Sequence, residues 1–157
     1  MPIAFLITWT TYGTWLHGDT RGWVEKGTLG IQVPDPERER QARAAMAEPE
    51  VRLSQVQRDI VEDTVRDHCR RRGWTMHAVR ARTNHVHVVI SADRDPEEMR
   101  DQLKAWCSRR LSDHAGLTRA VAKKAGRRHW FTEGGDVQTI EDEEHLQNAI
   151  IYVLEKQ

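Results

Sequence analysis

The chain has 157 residues, with 24 Lys and Arg balanced by 24 Asp and Glu, eight His and two Cys. That length favours a single domain with a core that needs no staples. No window approaches 18 consecutive apolar residues, which excludes a membrane-spanning helix. Cys69 and Cys107 have no second cysteine nearby, which excludes a Cys-rich zinc site and a disulfide scaffold and fits a reducing cytoplasm.

Neutrality hides a segregation of charge. Residues 66–82 carry a net +5, residues 100–130 a net +7 and residues 131–157 a net −6. Two strongly basic segments create local fields that suit a polyanion, although solvated helix faces would produce the same pattern.

In chain order, the apolar start lacks a basic n-region and a small-residue cleavage site, and IAFLITWTT (3–11) predicts a strand. Residues 12–36 hold five Gly, two Pro and two Trp and predict a long loop. Residues 37–48 look helical but weakly apolar. Ser54 followed by Gln57 resembles a capping box, and Leu53, Val56, Ile60 and Thr64 repeat at helical spacing up to a stop at Gly73. Residues 74–81 and 85–91 alternate, with Thr83-Asn84 as the turn between two strands. Asp95-Pro96 opens a helix with Met99, Leu103, Trp106 and Cys107 on its apolar stripe, ending near Gly116. Residues 118–125 predict a short basic helix or loop, and 128–140 a strand, Gly-Gly turn and strand. A last helix opens with four acids at Glu141–Glu144 and places Leu146, Ile150, Val153 and Leu154 toward the core. This order predicts an α+β fold, a ferredoxin-like split β-α-β with an antiparallel sheet, plus a C-terminal helix. Residues 1–157 form one domain.

Three features carry possible chemistry. His85 and His87 are two apart in a strand, so both imidazoles share one face about 7 Å apart at the backbone, while Val86, Val88 and Ile90 face the core. The pair suits two ligands of one divalent metal; two solvent-facing histidines are the plainer reading. Tyr152 is one of only two tyrosines and shares its helix face with His145, Asn148, Glu155 and Lys156. A phenol can act as a nucleophile where a metal polarises its target, or simply pack its ring with a wet hydroxyl. Trp9, Tyr12, Trp15 and Trp23 interleave with His17, Arg21 and Lys26, a combination that holds single-stranded nucleic acid by stacking and phosphate pairing; core burial is the alternative, above all for Trp9. Gly13, Gly18 and Gly22 would let backbone amides approach phosphates. His68, His77, His114 and His129 read as structural. No Walker A, GxGxxG, GxSxG or HExxH pattern occurs.

The strand NHVHVVI followed by a helix, the late hairpin with a Trp and the final helix with AIIYVLEKQ resemble the HUH single-tyrosine transposases, and the opening LITWTTYGTWLHGDTRGWV is similar to the REP-associated branch of that family. The resemblance covers nearly the whole chain. It implies cleavage and rejoining of single-stranded DNA near hairpins. His85 and His87 would bind Mg²⁺ or Mn²⁺, and Tyr152 would attack phosphorus, leaving a 5′-phosphotyrosine and a free 3′-OH. Related transposases have a Gln four residues after the tyrosine as third ligand; here Lys156 stands there and cannot ligate as an ammonium. That leaves Glu155, Gln157 or water. The DNA contacts expected are Tyr12, Trp15 and Arg21, with Arg80, Arg82, Lys104, Lys123, Lys124, Arg127 and Arg128 from the basic segments. The resemblance also implies a cytoplasmic, nucleoid-associated protein with hairpin DNA as partner and no membrane, and leaves monomer and homodimer open. The alternatives are a non-catalytic hairpin DNA- or RNA-binding domesticated transposase, and a metal-dependent nuclease that uses water.

Overall fold

The computed structural model describes residues 1–14, 21, 30–46, 49–117 and 129–155. Within them lie four strands, β1 (Ala4–Thr10), β2 (Thr75–Ala81), β3 (His85–Ser91) and β4 (Asp136–Ile140), and four helices, α1 (Pro36–Ala44), α2 (Gln55–Arg72), α3 (Pro96–His114) and α4 (Glu143–Glu155). The sheet order is β2-β3-β1-β4, and every neighbouring pair is antiparallel. The order β1-α2-β2-β3-α3-β4 on this sheet is the expected split β-α-β arrangement of an α+β fold.

Local chemistry sets the boundaries. Ser54 accepts from the Gln57 N–H while the Gln57 side chain accepts from the Ser54 N–H, so the capping box is complete. The helix stops where Gly73 turns left-handed at φ +73°. Asp95 caps α3, with Pro96 at its first position.

Two apolar clusters lie on opposite sides of the sheet. Phe5, Ile7, Trp9, Val86, Val88 and Ile90 pack with Val61, Val65, Met99, Leu103 and Leu111 of α2 and α3 in the larger one. Ala4, Ala78, Val89 and Ile140 receive Leu146, Ala149 and Val153 of α4 in the smaller one. Alternation along β1 explains the split, because Phe5, Ile7 and Trp9 face the paired helices while Ala4 and Leu6 face α4.

Several expectations change. Among the described residues, the stretch 128–140 supplies β4 and an isolated bridge from Phe131 to Thr11, because both flanks of Gly134-Gly135 pair along β1, Phe131 with Thr11 and Asp136 with Thr8, rather than with each other. On α2 the buried side is Val61, Thr64, Val65, His68 and Cys69, and Val56 is exposed. Trp106 on α3 and Leu154 on α4 are exposed rather than core, since each helix docks by a neighbouring stripe. Gly13 does not offer its backbone to a ligand: with φ +76°, an added Cβ would run into Met46 and the backbone of Glu50. The long loop, Gly18, Gly22 and the 118–125 segment lie largely or wholly outside the described residues.

Candidate functional site

The α4 side of the sheet is apolar at one end and polar at the other. Along β1 the residues facing α4 run Ala4, Leu6, Thr8, Thr10, and along β3 they run Val89, His87, His85. Register pairs Leu6 with Val89, Thr8 with His87 and Thr10 with His85. The apolar end docks α4. The polar end is left as a floor beneath the last turns of that helix.

Both imidazoles point from this floor, their ring centroids 4.7 Å apart. His87 is buried and His85 is half-buried. Each ring has a partner at Nδ1. His85 Nδ1 lies 2.6 Å from the side-chain carbonyl oxygen of Asn84, so Nδ1–H donates and the lone pair falls on Nε2. His87 Nδ1 lies 2.8 Å from Thr8 Oγ1, which can accept in the same way. An imidazole oriented through one nitrogen coordinates through the other. The donor set therefore fits a divalent cation held by two nitrogens, with oxygen ligands completing the shell.

Tyr152 comes to the same place from α4. Its ring stands edge-on to His87 in the same chain, with centroids 5.6 Å apart and planes at 70°. The Tyr152 side chain is exposed. Helical geometry accounts for the approach. Leu146, Ala149 and Val153 are buried against the sheet, and position 152 flanks that stripe on the side of the histidines. Arg80, the register partner of His87, donates from Nη2 to the Leu154 carbonyl at 3.2 Å and ties the end of α4 to β2.

Glu155 is exposed, and among the described residues no three His, Cys, Asp or Glu side chains gather to hold a metal, so Glu155 does not complete such a cluster. Gln157 lies outside the described residues, as do Trp15, Lys123, Lys124, Arg127 and Arg128.

No family model matches the chain, and no curated protein matches it. Among solved structures, the chain is similar over its full length to a proposed transposase of Deinococcus radiodurans R1, with 15% identity, a TM-score of 0.49 and 92% of that chain covered.

The remaining candidates scatter. Tyr12 is half-buried and stacks on His129, with centroids 5.2 Å apart. Arg21 donates to the Thr14 carbonyl at 2.7 Å. Lys104 turns inward and donates to the Thr132 and Gly134 carbonyls at 2.6 and 2.8 Å, and burial with the nearby Arg100 charge holds its pKa below the usual lysine range. It braces the approach to β4 instead of presenting a charge at the histidines. Arg80 and Arg82 adjoin the histidine pair. Both cysteines are buried; desolvation pushes the Cys69 thiol up to about 12 and raises Cys107 as well, so neither is a ready nucleophile. His68 pairs with Gln102 and His77 with Ser91, as structural histidines do. Sequence reasoning missed Thr8 and the role of Arg80. The alternation of Thr8 and Thr10 with Ile7 and Trp9 was the available signal for the first.

Proposed function

We propose that this chain cleaves and rejoins single-stranded DNA near hairpins, with Tyr152 as the nucleophile. The observation that carries this reading is the approach of an exposed phenol to one of two adjacent, Nδ1-anchored imidazoles within one chain. A structural tyrosine needs no such neighbours, and a metal pair needs no such phenol. Together they fit phosphoester transfer.

His85 and His87 would hold a Mg²⁺ or Mn²⁺ ion, which supplies charge to polarise a phosphodiester. The protein's own groups orient the reaction. Thr8 and Asn84 fix the ring directions, and Arg80 anchors the helix that carries the phenol. Tyr152 oxygen forms a bond to phosphorus as the bond to the 3′ oxygen breaks. The phenol loses its proton and the departing 3′ oxygen gains one. The 5′ side stays on the tyrosine, and a 3′-OH attacking that ester reverses the step. One phosphodiester is exchanged for another, so no nucleotide hydrolysis is needed.

The test is a hairpin oligonucleotide with a single-stranded flank, incubated with Mn²⁺ and resolved on a denaturing gel. The expected product is a covalent protein–DNA band that disappears in Tyr152→Phe. Cleavage that survives Tyr152→Phe points to a water nucleophile. Tight hairpin binding with no covalent product under any divalent metal identifies a non-catalytic binder.

A further inference from the structure

The histidine pair has cationic neighbours whose placement follows from strand register. Arg80 is the Cα partner of His87, and the backbone N–H of Arg82 donates to the His85 carbonyl at 2.7 Å. Directly opposed residues of an antiparallel pair project to the same face. Alternation returns Arg82 to the side of Arg80. The polar floor thus reads Arg80, His87, Thr8 in one row and Arg82, His85, Thr10 in the next. The bond from Arg80 to the Leu154 carbonyl sets its guanidinium beneath the turn of α4 that carries Tyr152.

The Nε atoms of Arg80 and Arg82 are both buried, and neither has a hydrogen-bond partner among the described residues. A buried guanidinium donor left unmatched is costly, and proteins rarely keep one without a use for it. The nearby carboxylate, Glu62, is already engaged: one oxygen accepts the Ala81 N–H at 3.0 Å and the other accepts from Arg66 at 3.3 Å. Burial holds the Arg82 pKa below the ordinary arginine value, Arg80 and Arg58 push it the same way, and Glu62 only partly opposes them. Arg58 and Arg80 therefore act on Arg82 as like charges at the β2 edge, and Glu62, already paired with Arg66, offsets them only in part.

We propose that Arg80 and Arg82 form an anion site for a phosphodiester, gripping the phosphate next to the one that Tyr152 faces. The identity of the anion rests on the strand-transfer reading; the site itself rests on the orphaned donors and the register. The guanidinium fork matches two phosphate oxygens, and an anion drawn there would turn the Nε–H groups outward to meet it and relieve the repulsion between the cations. A single strand running along the β2 edge would place successive phosphates at the arginines and beneath the phenol.

The experiment measures binding of a fluorescently labelled single strand by anisotropy in EDTA, so that no metal contributes, between about 50 and 200 mM salt. For single strands, log K falls with log salt by about 0.7 for each phosphate neutralised. Arg82→Gln should therefore reduce the steepness of that slope by about 0.7 and weaken binding evenly across sequences. Arg82→Lys should restore most of the slope. Arg40→Gln, at an exposed position on α1, should leave it unchanged. In the wild-type protein, the Nε–Hε resonances of Arg80 and Arg82 should shift on titration with inorganic phosphate, a readout that requires no variant to fold. The proposal is overturned if wild type does not bind, if Arg82→Gln keeps the wild-type slope, if Arg40→Gln loses as much, or if neither resonance moves. The two readings fail separately. A slope change without any Tyr152 adduct keeps the anion site and removes strand transfer, whereas an adduct with an unchanged slope does the reverse.

Discussion

Replacing Thr8 with Val removes one hydroxyl and keeps the β-branched shape that a strand favours. The hydroxyl lies 2.8 Å from Nδ1 of His87, a ring only 6% exposed. Removing one partner of a buried polar pair costs about 1–3 kcal/mol, because the other keeps its desolvation penalty. At about 2–4 °C per kcal/mol for a domain of this size, the midpoint should fall by several degrees. The same loss frees the imidazole to rotate and to shift its proton, and removal of such an orienting contact lowers metal affinity about 10- to 100-fold. Urea denaturation measures the first effect and calorimetric titration with Mn²⁺ the second. Thr8→Ser retains the hydroxyl and should recover most of the metal affinity. A Thr8→Val protein that matches wild type within about 0.5 kcal/mol, the range of an indifferent substitution, and binds Mn²⁺ equally well would refute the orienting role of Thr8.

Two further outcomes follow from the packing. Gly135 has φ +146°, and an added Cβ would meet the Thr8 carbonyl oxygen at 2.6 Å and Arg100 Cδ at 2.9 Å, so Gly135→Ala should cost about 1–3 kcal/mol in chemical denaturation; a neutral result would show that β4 can retreat freely from β1. Asp67 accepts from Arg110, whose hydrogen bond is the main reason its carboxyl sits below the ordinary 3.8, with Arg71 and Arg70 adding to the effect. A depressed folded value means the stabilisation is complete above the unfolded value and is lost as pH falls through the folded one. The difference in melting temperature between wild type and Asp67→Asn should thus be steady near neutrality and close below about pH 4. A difference that persists into stronger acid contradicts the assignment.

The sequence was most legible where local physics decides. Ser54, Gly73, Asp95 and Pro96 mark helix ends through their own backbone and side-chain chemistry. The alternation of 85–91 placed Val86, Val88 and Ile90 in the core, as found. It was least legible where docking decides. Around α2 the repeat caught Leu53, Ile60 and Thr64, but it included the exposed Val56 and passed over His68, a buried polar residue whose partner is Gln102. α4 is apolar on more than one side, and periodicity alone could not separate Val153, which is buried, from Leu154, which is exposed. The meeting of Tyr152 with His87 joins positions 65 residues apart and depends on the rotation at which α4 settles. Arg80 and Arg82 were expected among the DNA contacts, but only the strand register sets them beside the imidazoles.

The division of the interior into two clusters has a mechanical result. α4 is fastened mainly by Leu146, Ala149 and Val153, and the two larger side chains contribute about 1.5–3 kcal/mol each. The bigger cluster beyond the sheet does not depend on them. This packing predicts that the last helix opens as a unit at a lower cost than global unfolding. Amide exchange should register this as weaker protection along 143–155 than along β3. On that expectation the phenol is carried by the part of the fold that opens first.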